Sequence, residues 1–166
     1  MITITIDRLT NSIVNKVTGD VFDTEVLEIT SKDIKKVSKW QFKWSKELPF
    51  SEVYKLIIVG NSDILQGLIA IRDEKTHYYM ALIENAPFNI GQLKIYEGVP
   101  GNLVAFACKK SFDKGYAGFV SFDAKTVLIE HYEKTLGAKR AGRGSLMYID
   151  TQAATKLVNQ IGRAHV

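Results

Sequence analysis

The chain has 166 residues, is 46% hydrophobic and 24% charged, and carries a net charge of +4 with a single cysteine. That length suits one domain with one core, the composition excludes a disordered or fibrous chain, and a lone cysteine excludes an internal disulfide. No Cys/His cluster has metal-ligand spacing, no run approaches the roughly 18 apolar residues of a membrane span, and the opening residues lack a basic stretch followed by a long apolar one, so the expectation is a cytoplasmic protein with no metal and no membrane partner. The positive balance is modest and its lysines alternate with acids, as in "SKDIKKVSKW". That pattern disfavours nucleic acid as the main ligand, while its sign suits a polyanionic small molecule.

In chain order, "ITITI" (residues 2–6) alternates β-branched residues and predicts a strand, with an edge position open to it. "EVLEI" (25–29) predicts a second. "TSKDIKKVSKWQFKWSKEL" (30–48) opens with Thr/Ser capping candidates and spaces Ile34, Val37, Trp40 and Trp44 three and four apart, which predicts one amphipathic helix ending near Pro49. Three apolar runs follow, "EVYKLIIVG", "ILQGLIAIR" and "HYYMALIEN", separated by the turn signals "NSD" and "DEKT"; they read as an antiparallel meander.

Residues 102–114 then predict a helix with Gly115 as its C-cap, "YAGFVSF" a strand, "AKTVLIEHYEKTL" a helix ending at Gly137, "SLMYID" a strand and "TQAATKLVNQ" a terminal helix. A meander feeding a β-α-β unit makes an α/β fold of the α+β kind, a mixed, mostly antiparallel sheet with helices on both faces. Residues 1–160 are expected to form one domain. The last six residues, "IGRAHV" (161–166), match one reading frame of a common sequencing adapter and read as a non-native scar.

The stretch "YEGVPGNL" (96–103) carries the first chemical hint. A glycine turn between a strand and a helix leaves backbone N–H groups unpaired at the helix start, where the helix dipole is positive, so it suits an anion. Gly98 and Gly101 permit close approach, and Asn102 is placed to cap the helix. A tight turn before an ordinary core helix has the same pattern, and the turn alone does not separate the two.

The longer segment "YEGVPGNLVAFACKKSFDKGYAGFVSFDAKTVLIEHYEKTLGAKR" resembles the central part of the GCN5-related N-acetyltransferase (GNAT) superfamily, and the resemblance extends over roughly residues 53–149. The matching features, in order, are a glycine loop after a strand, a helix ending at Gly115, the strand "GFVSF", and a helix carrying Tyr132 before Leu136 and Gly137. Two positions depart from the superfamily pattern: Tyr96 stands where Gln or Arg is usual, and Val99-Pro100 replaces the usual Gly-x pair. Pro100 also removes one backbone N–H.

The resemblance implies an acetyl-CoA N-acetyltransferase fold with acetyl-CoA as co-substrate and a small-molecule or peptide amine as acceptor; a homodimer is left open. It implies a pyrophosphate contact for Gly98, Val99, Gly101, Asn102 and Leu103, and a thiolate-protonating role for Tyr132. Backbone N–H groups near Leu82 and Ile83 would form the oxyanion site. Lys94 and Lys125 are candidates for compensating charge, Lys125 standing near a position where many relatives carry asparagine. An attacking amine must first lose its proton, and Glu84, at the end of "YYMALIEN", is the candidate base, with Asn85 and Asn89 as further substrate contacts. Cys108 and the Trp40/Trp44 pair read as core, His131 as a surface or sheet-contact residue, and His77 sits at a strand start. Two rival functions stay open: a non-catalytic acyl-CoA-binding or regulatory domain, and a basic nucleic-acid-associated domain.

Overall fold

A computed structural model of the chain describes residues 1–160; the suspected scar lies outside the described residues. The strands are β1 (Ile13–Asn15), β2 (Val21–Phe22), β3 (Thr24–Glu28), β4 (Glu52–Ile58), β5 (Gly67–Asp73), β6 (Tyr78–Asn85), β7 (Tyr96–Glu97), β8 (Val120–Asp123), β9 (Lys139–Arg140) and β10 (Leu146–Ile149). The helices are α1 (Ser31–Lys36), α2 (Trp44–Glu47), α3 (Val99–Asp113), α4 (Ile129–Leu136) and α5 (Thr151–Gln160). The main sheet has seven strands in the order β3-β4-β5-β6-β8-β10-β9, and among its neighbouring pairs β6 and β8 run parallel while the rest are antiparallel. This is the expected mixed, mostly antiparallel sheet. No described helix is long and apolar enough to cross a membrane.

Helices cover both faces. On one, α3, α4 and α5 bury Leu103, Val104, Ala107, Tyr132, Leu136 and Leu157 against Leu56, Ile69, Ile71, Met80 and Phe122. On the other, Val37 and Trp44 of the α1–α2 region pack on Val53, Leu68, Ala70 and Ala81. The meander β4-β5-β6, the final strand and the terminal helix form as their hydrophobic period predicts.

Several expectations change, among them the helix expected over 124–136, which starts only at Ile129, and the strand expected over 116–122, which starts only at Val120. Residues 2–6 form no strand: Ile2, Ile4 and Ile6 turn inward and Thr3 and Thr5 outward, but the segment makes only one isolated parallel bridge, Ile2 to Ala124. The single helix over 30–48 is two short ones. Thr30 and Asp33 form a capping box at the start of α1, but the chain leaves the helix at Val37 because the carboxylate of Glu84 takes the backbone N–H groups of Gln41 and Phe42.

α3 starts at Val99, three residues earlier than expected, with Gly98 as its N-cap in the left-handed region (φ 101°). Pro100 fits in the first turn, where its missing N–H has no helical partner to lose. Finally, β1, β2 and β7 make a small separate sheet, and β9 adds a two-residue edge to the main one. Tyr96 belongs to that small sheet and packs edge-on against Phe22. Its departure from the superfamily pattern therefore has a structural use.

Candidate active site

The parallel pairing of β6 with β8 runs from Tyr78 opposite Val120 to Met80 opposite Phe122 and stops there. Beside it the β5–β6 register shifts between Ala70 and Ile71, which pair with Leu82 and Met80, leaving Ala81 as the extra residue of a bulge. A bulge bends its strand and increases the twist. The two strands therefore part beyond Met80 and Phe122, and Leu82 and Ile83, the expected oxyanion positions, lie on the parted half of β6.

The N-terminal segment fills the opening. The α-ammonium of Met1 lies 3.5 Å from the Ala81 carbonyl oxygen, the Ile2 N–H donates to Asp123 at 2.6 Å, and the Ile2 carbonyl accepts from the N–H of Lys125 at 2.9 Å. Tyr132 is fully buried, and its hydroxyl donates to the Ile4 carbonyl. Burial raises its pKa, so the phenol stays protonated at neutral pH. Its neighbour His131 accepts the Ile6 N–H on Nε2 at 2.8 Å.

Asp7 ends this run at the glycine turn. One carboxylate oxygen accepts the Gly98 N–H at 3.1 Å and the other the Lys94 ammonium at 3.0 Å. Burial pulls the pKa of Lys94 down, but the hydrogen bond and charge of Asp7, helped by Glu97, outweigh it and the net direction is up. The turn thus does hold an anion, one supplied by the chain itself.

The turn is also not the open one expected. Gly98, Val99, Gly101, Asn102 and Leu103 are all buried. A Cβ at Gly98 would meet the Ser12 carbonyl at 3.1 Å and the Thr10 hydroxyl at 3.2 Å, so residues 10–12 lie over it. Asn102 does not cap the helix with its oxygen. It sits inside α3, and its Nδ2 donates to the carbonyls of Gly98 and Thr10 at 2.7 and 3.1 Å. α3 meets the sheet closely at Gly67, where a Cβ would lie 2.6 Å from Val99. Lys125 is exposed and pairs with no described acid; Glu97 is paired with Arg8 and Lys94.

A cavity of about 270 Å³ opens at the carboxyl end of β6, between the N-terminal segment, the α1–α2 connection and residues 89–94; Glu84, Asn85, Asp7 and Lys94 line it. Glu84 is 5% exposed and accepts from Gln41 N–H (2.7 Å), Phe42 N–H (3.1 Å) and the Trp44 indole (2.8 Å). Two of these donors share Oε1, so Oε2 keeps an acceptor position. The sequence marks Glu84 as a candidate base; its role in holding residues 41–44 is not legible there, because those donors lie 40 to 43 positions away. Asn89 is spent on Gln66 and the Tyr96 N–H. The Asn85 Oδ1 is buried without a partner. Cys108 is fully buried with its thiol pushed up to about 12 by burial, and Trp44 is core, both as expected. Among the described residues no group of three or more His, Cys, Asp or Glu could hold a metal.

No protein-family profile matches the chain, and no curated protein does. Solved structures do. AtaT complexed with acetyl-methionyl-tRNAfMet aligns at a TM-score of 0.55 and 12% identity, over 81% of this chain and 99% of that one. A mutant AtaT toxin bound to the C-terminus of the antitoxin AtaR and acetyl-CoA aligns at 0.51 and 12%, over 83% and 99%. The KacTA–DNA complex aligns at 0.51 and 14%, over 93% and 96%. AtaT and KacT are GNAT-family acetyltransferases. The chain has a GNAT-like fold. In that frame, the parting of β6 from β8 and the glycine turn before α3 come from the part of the chain that carries the sequence resemblance. The expectation that disfavoured nucleic acid is not consistent with these neighbours, two of which were solved with tRNA or DNA, and it is withdrawn.

Proposed function

We propose that the protein is an acetyl-CoA-dependent N-acetyltransferase that moves the acetyl group to a primary amine by direct attack. The observation that carries this reading is the opened pair β6/β8, with a bulge on one strand and a buried tyrosine hydroxyl at the gap. The chain's residues fit the co-substrate: the Gly98 N–H and Lys94 already clasp a carboxylate, so they suit a phosphate oxygen, and the helix dipole adds to the same site. Val99, Gly101, Asn102 and Leu103 shape that first turn, and the exposed Lys125, whose N–H donates to the Ile2 carbonyl, carries a charge that no described acid pairs.

In the transfer, the amine nitrogen bonds to the thioester carbonyl carbon and the C–S bond breaks. Whichever backbone N–H of Leu82 and Ile83 faces the gap and not β5 stabilises the oxygen on which charge develops, and Tyr132 gives its phenolic proton to the departing sulfur. The amine gives up its proton toward the remaining acceptor position of Glu84 Oε2, directly or through water. Asn85, beside Glu84, orients the acceptor.

The face around the cavity bears on the acceptor. Lys32, Lys35, Lys39, Lys43 and Lys46 are exposed, with Lys36 beside them paired to Asp63, while the acids among them are used elsewhere: Asp33 is buried against Lys55, and Glu47 binds Arg72. The alternation of charge in the sequence therefore becomes a cationic surface in three dimensions, flanking Gln41 and Phe42 at the cavity. Such a surface repels polyamines and aminoglycosides and favours an amine carried on a polyanion, as on an aminoacylated RNA. Release of free thiol from acetyl-CoA tests the reading, across a panel of aminoacyl-tRNAs, polyamines, amino acids and peptides. Turnover with an aminoacyl-tRNA is expected; cofactor binding with no turnover on any amine would favour the binding-domain rival.

A further inference from the structure

We infer that residues 1–7 are a displaceable strap that competes with acetyl-CoA for its own groove; the inference rests on the proposed function above, in which the co-substrate's arm lies between β6 and β8. The strap reproduces the span of such an arm. Its first residue sits at the bulge, beside the Ala81 carbonyl where the strands part. Its middle carbonyl, on Ile4, takes the Tyr132 hydroxyl. Its last residue, Asp7, puts a carboxylate on the Gly98 N–H and the Lys94 ammonium at the start of α3. One extended peptide thus occupies the thioester end, the proton donor and the anion end together.

The contacts are of a kind that can let go. Ile2 and Ile6 are buried and anchor the segment, but Thr3 and Thr5 are exposed, and the segment has one bridge where a strand of the sheet would have a ladder. Local openings of this sort occur well below the free energy of global unfolding. The binding-competent state is then a minor one, and the apparent affinity for acetyl-CoA is reduced by its population. Displacement has a second effect: the same departure that opens the gap beside Ala81 and takes Asp7 off Gly98 and Lys94 frees the Tyr132 hydroxyl and the His131 Nε2. The proton donor becomes available only when the co-substrate has taken the place of Ile4.

Two full-length variants loosen the strap at different points. Ile6→Pro removes the N–H that His131 accepts, and Asp7→Asn removes the charge held by Gly98 and Lys94. Each is expected to tighten acetyl-CoA binding by about threefold to tenfold in calorimetric titration, the equivalent of one hydrogen bond's net contribution. In the unaltered chain, amide exchange within residues 1–7 is expected to quicken when acetyl-CoA is added. Tighter binding in the variants, or binding only in the variants, supports the strap. Equal affinity in all three chains, or residues 1–7 protected as well with acetyl-CoA as without it, overturns the strap and leaves the co-substrate reading standing. Failure of all three chains to bind at millimolar acetyl-CoA overturns both.

Discussion

The phenolic hydroxyl of Tyr132 donates to the backbone carbonyl of Ile4, 128 positions away in the sequence. This contact ties the candidate proton donor on α4 to the segment that fills the opened sheet, so the state of one reports on the other.

Replacing Tyr132 by Phe keeps the ring that packs edge-on against Phe122 at 5.4 Å and removes only the hydroxyl. Transfer should fall about a hundredfold or more, the usual contribution of a positioned proton donor. Acetyl-CoA affinity should hold or improve slightly, because the strap loses a bond. Thiol-release rates and calorimetric titration of Tyr132→Phe check both; an unchanged kcat removes Tyr132 from the chemistry.

Glu84 holds residues 41–44 and is proposed as the base, and the two roles can be separated. Glu84→Gln should lower stability by about 2–4 kcal/mol in urea unfolding, since three N–H donors lose their anion, and should also slow transfer. Trp44→Phe removes one of those donors and no carboxylate. It should cost less stability than Glu84→Gln and leave transfer within about twofold. Equal losses of transfer in the two variants would mean that the position of residues 41–44 matters and that Glu84 takes no proton.

On the far side of the sheet, Lys55 meets the buried Asp33 at 2.8 Å, and the Lys55 side chain is 8% exposed. Burial pushes the Asp33 carboxyl up, but the Lys55 and Thr30 hydrogen bonds and the Lys55 charge outweigh it, and the net direction is down from 3.8. A folded pKa below the unfolded one adds stability at pH values above about 4, lost as pH falls through the folded value. Unfolding free energy should therefore decline below pH 4 in the natural chain, and less steeply in an Asp33→Asn variant. Asp33→Ala, which leaves the buried Lys55 with no counter-charge and only the Ser62 carbonyl as partner, should cost about 3–5 kcal/mol at pH 7.

If the acceptor amine rides on a polyanion, Lys39→Glu with Lys43→Glu should raise KM for an aminoacyl-tRNA and flatten its salt dependence. KM for a small free amine should stay the same. Parallel changes for both acceptors would argue against the cationic face.

The architecture was readable where a single period governs a long segment. The meander, α3, α4, β10 and α5 each announce themselves by alternation or by three- and four-residue spacing, and Cys108 and Trp44 were correctly read as core. What could not be read depends on distant partners. Residues 2–6 have the alternation of a strand, but their contacts come from Ala81, Asp123, His131 and Tyr132. Residues 30–48 have the spacing of one helix, which Glu84 breaks by taking backbone donors. Tyr96 looked like a faulty cradle residue and proves to be a strand residue of a sheet too short to leave a periodic signal. The lysines of α1 and α2 alternate with acids along the chain, and only burial of Asp33 and pairing of Glu47 expose them as one cationic surface.

The most direct test of the central claim, that acetyl-CoA binds between β6 and β8, is an acetyl-CoA titration followed by backbone amide chemical shifts. The account predicts saturable shifts at Leu82, Ile83, Gly98, Val99 and Gly101 together with residues 1–7. Binding that shifts none of these amides, or no binding at millimolar acetyl-CoA, would contradict it.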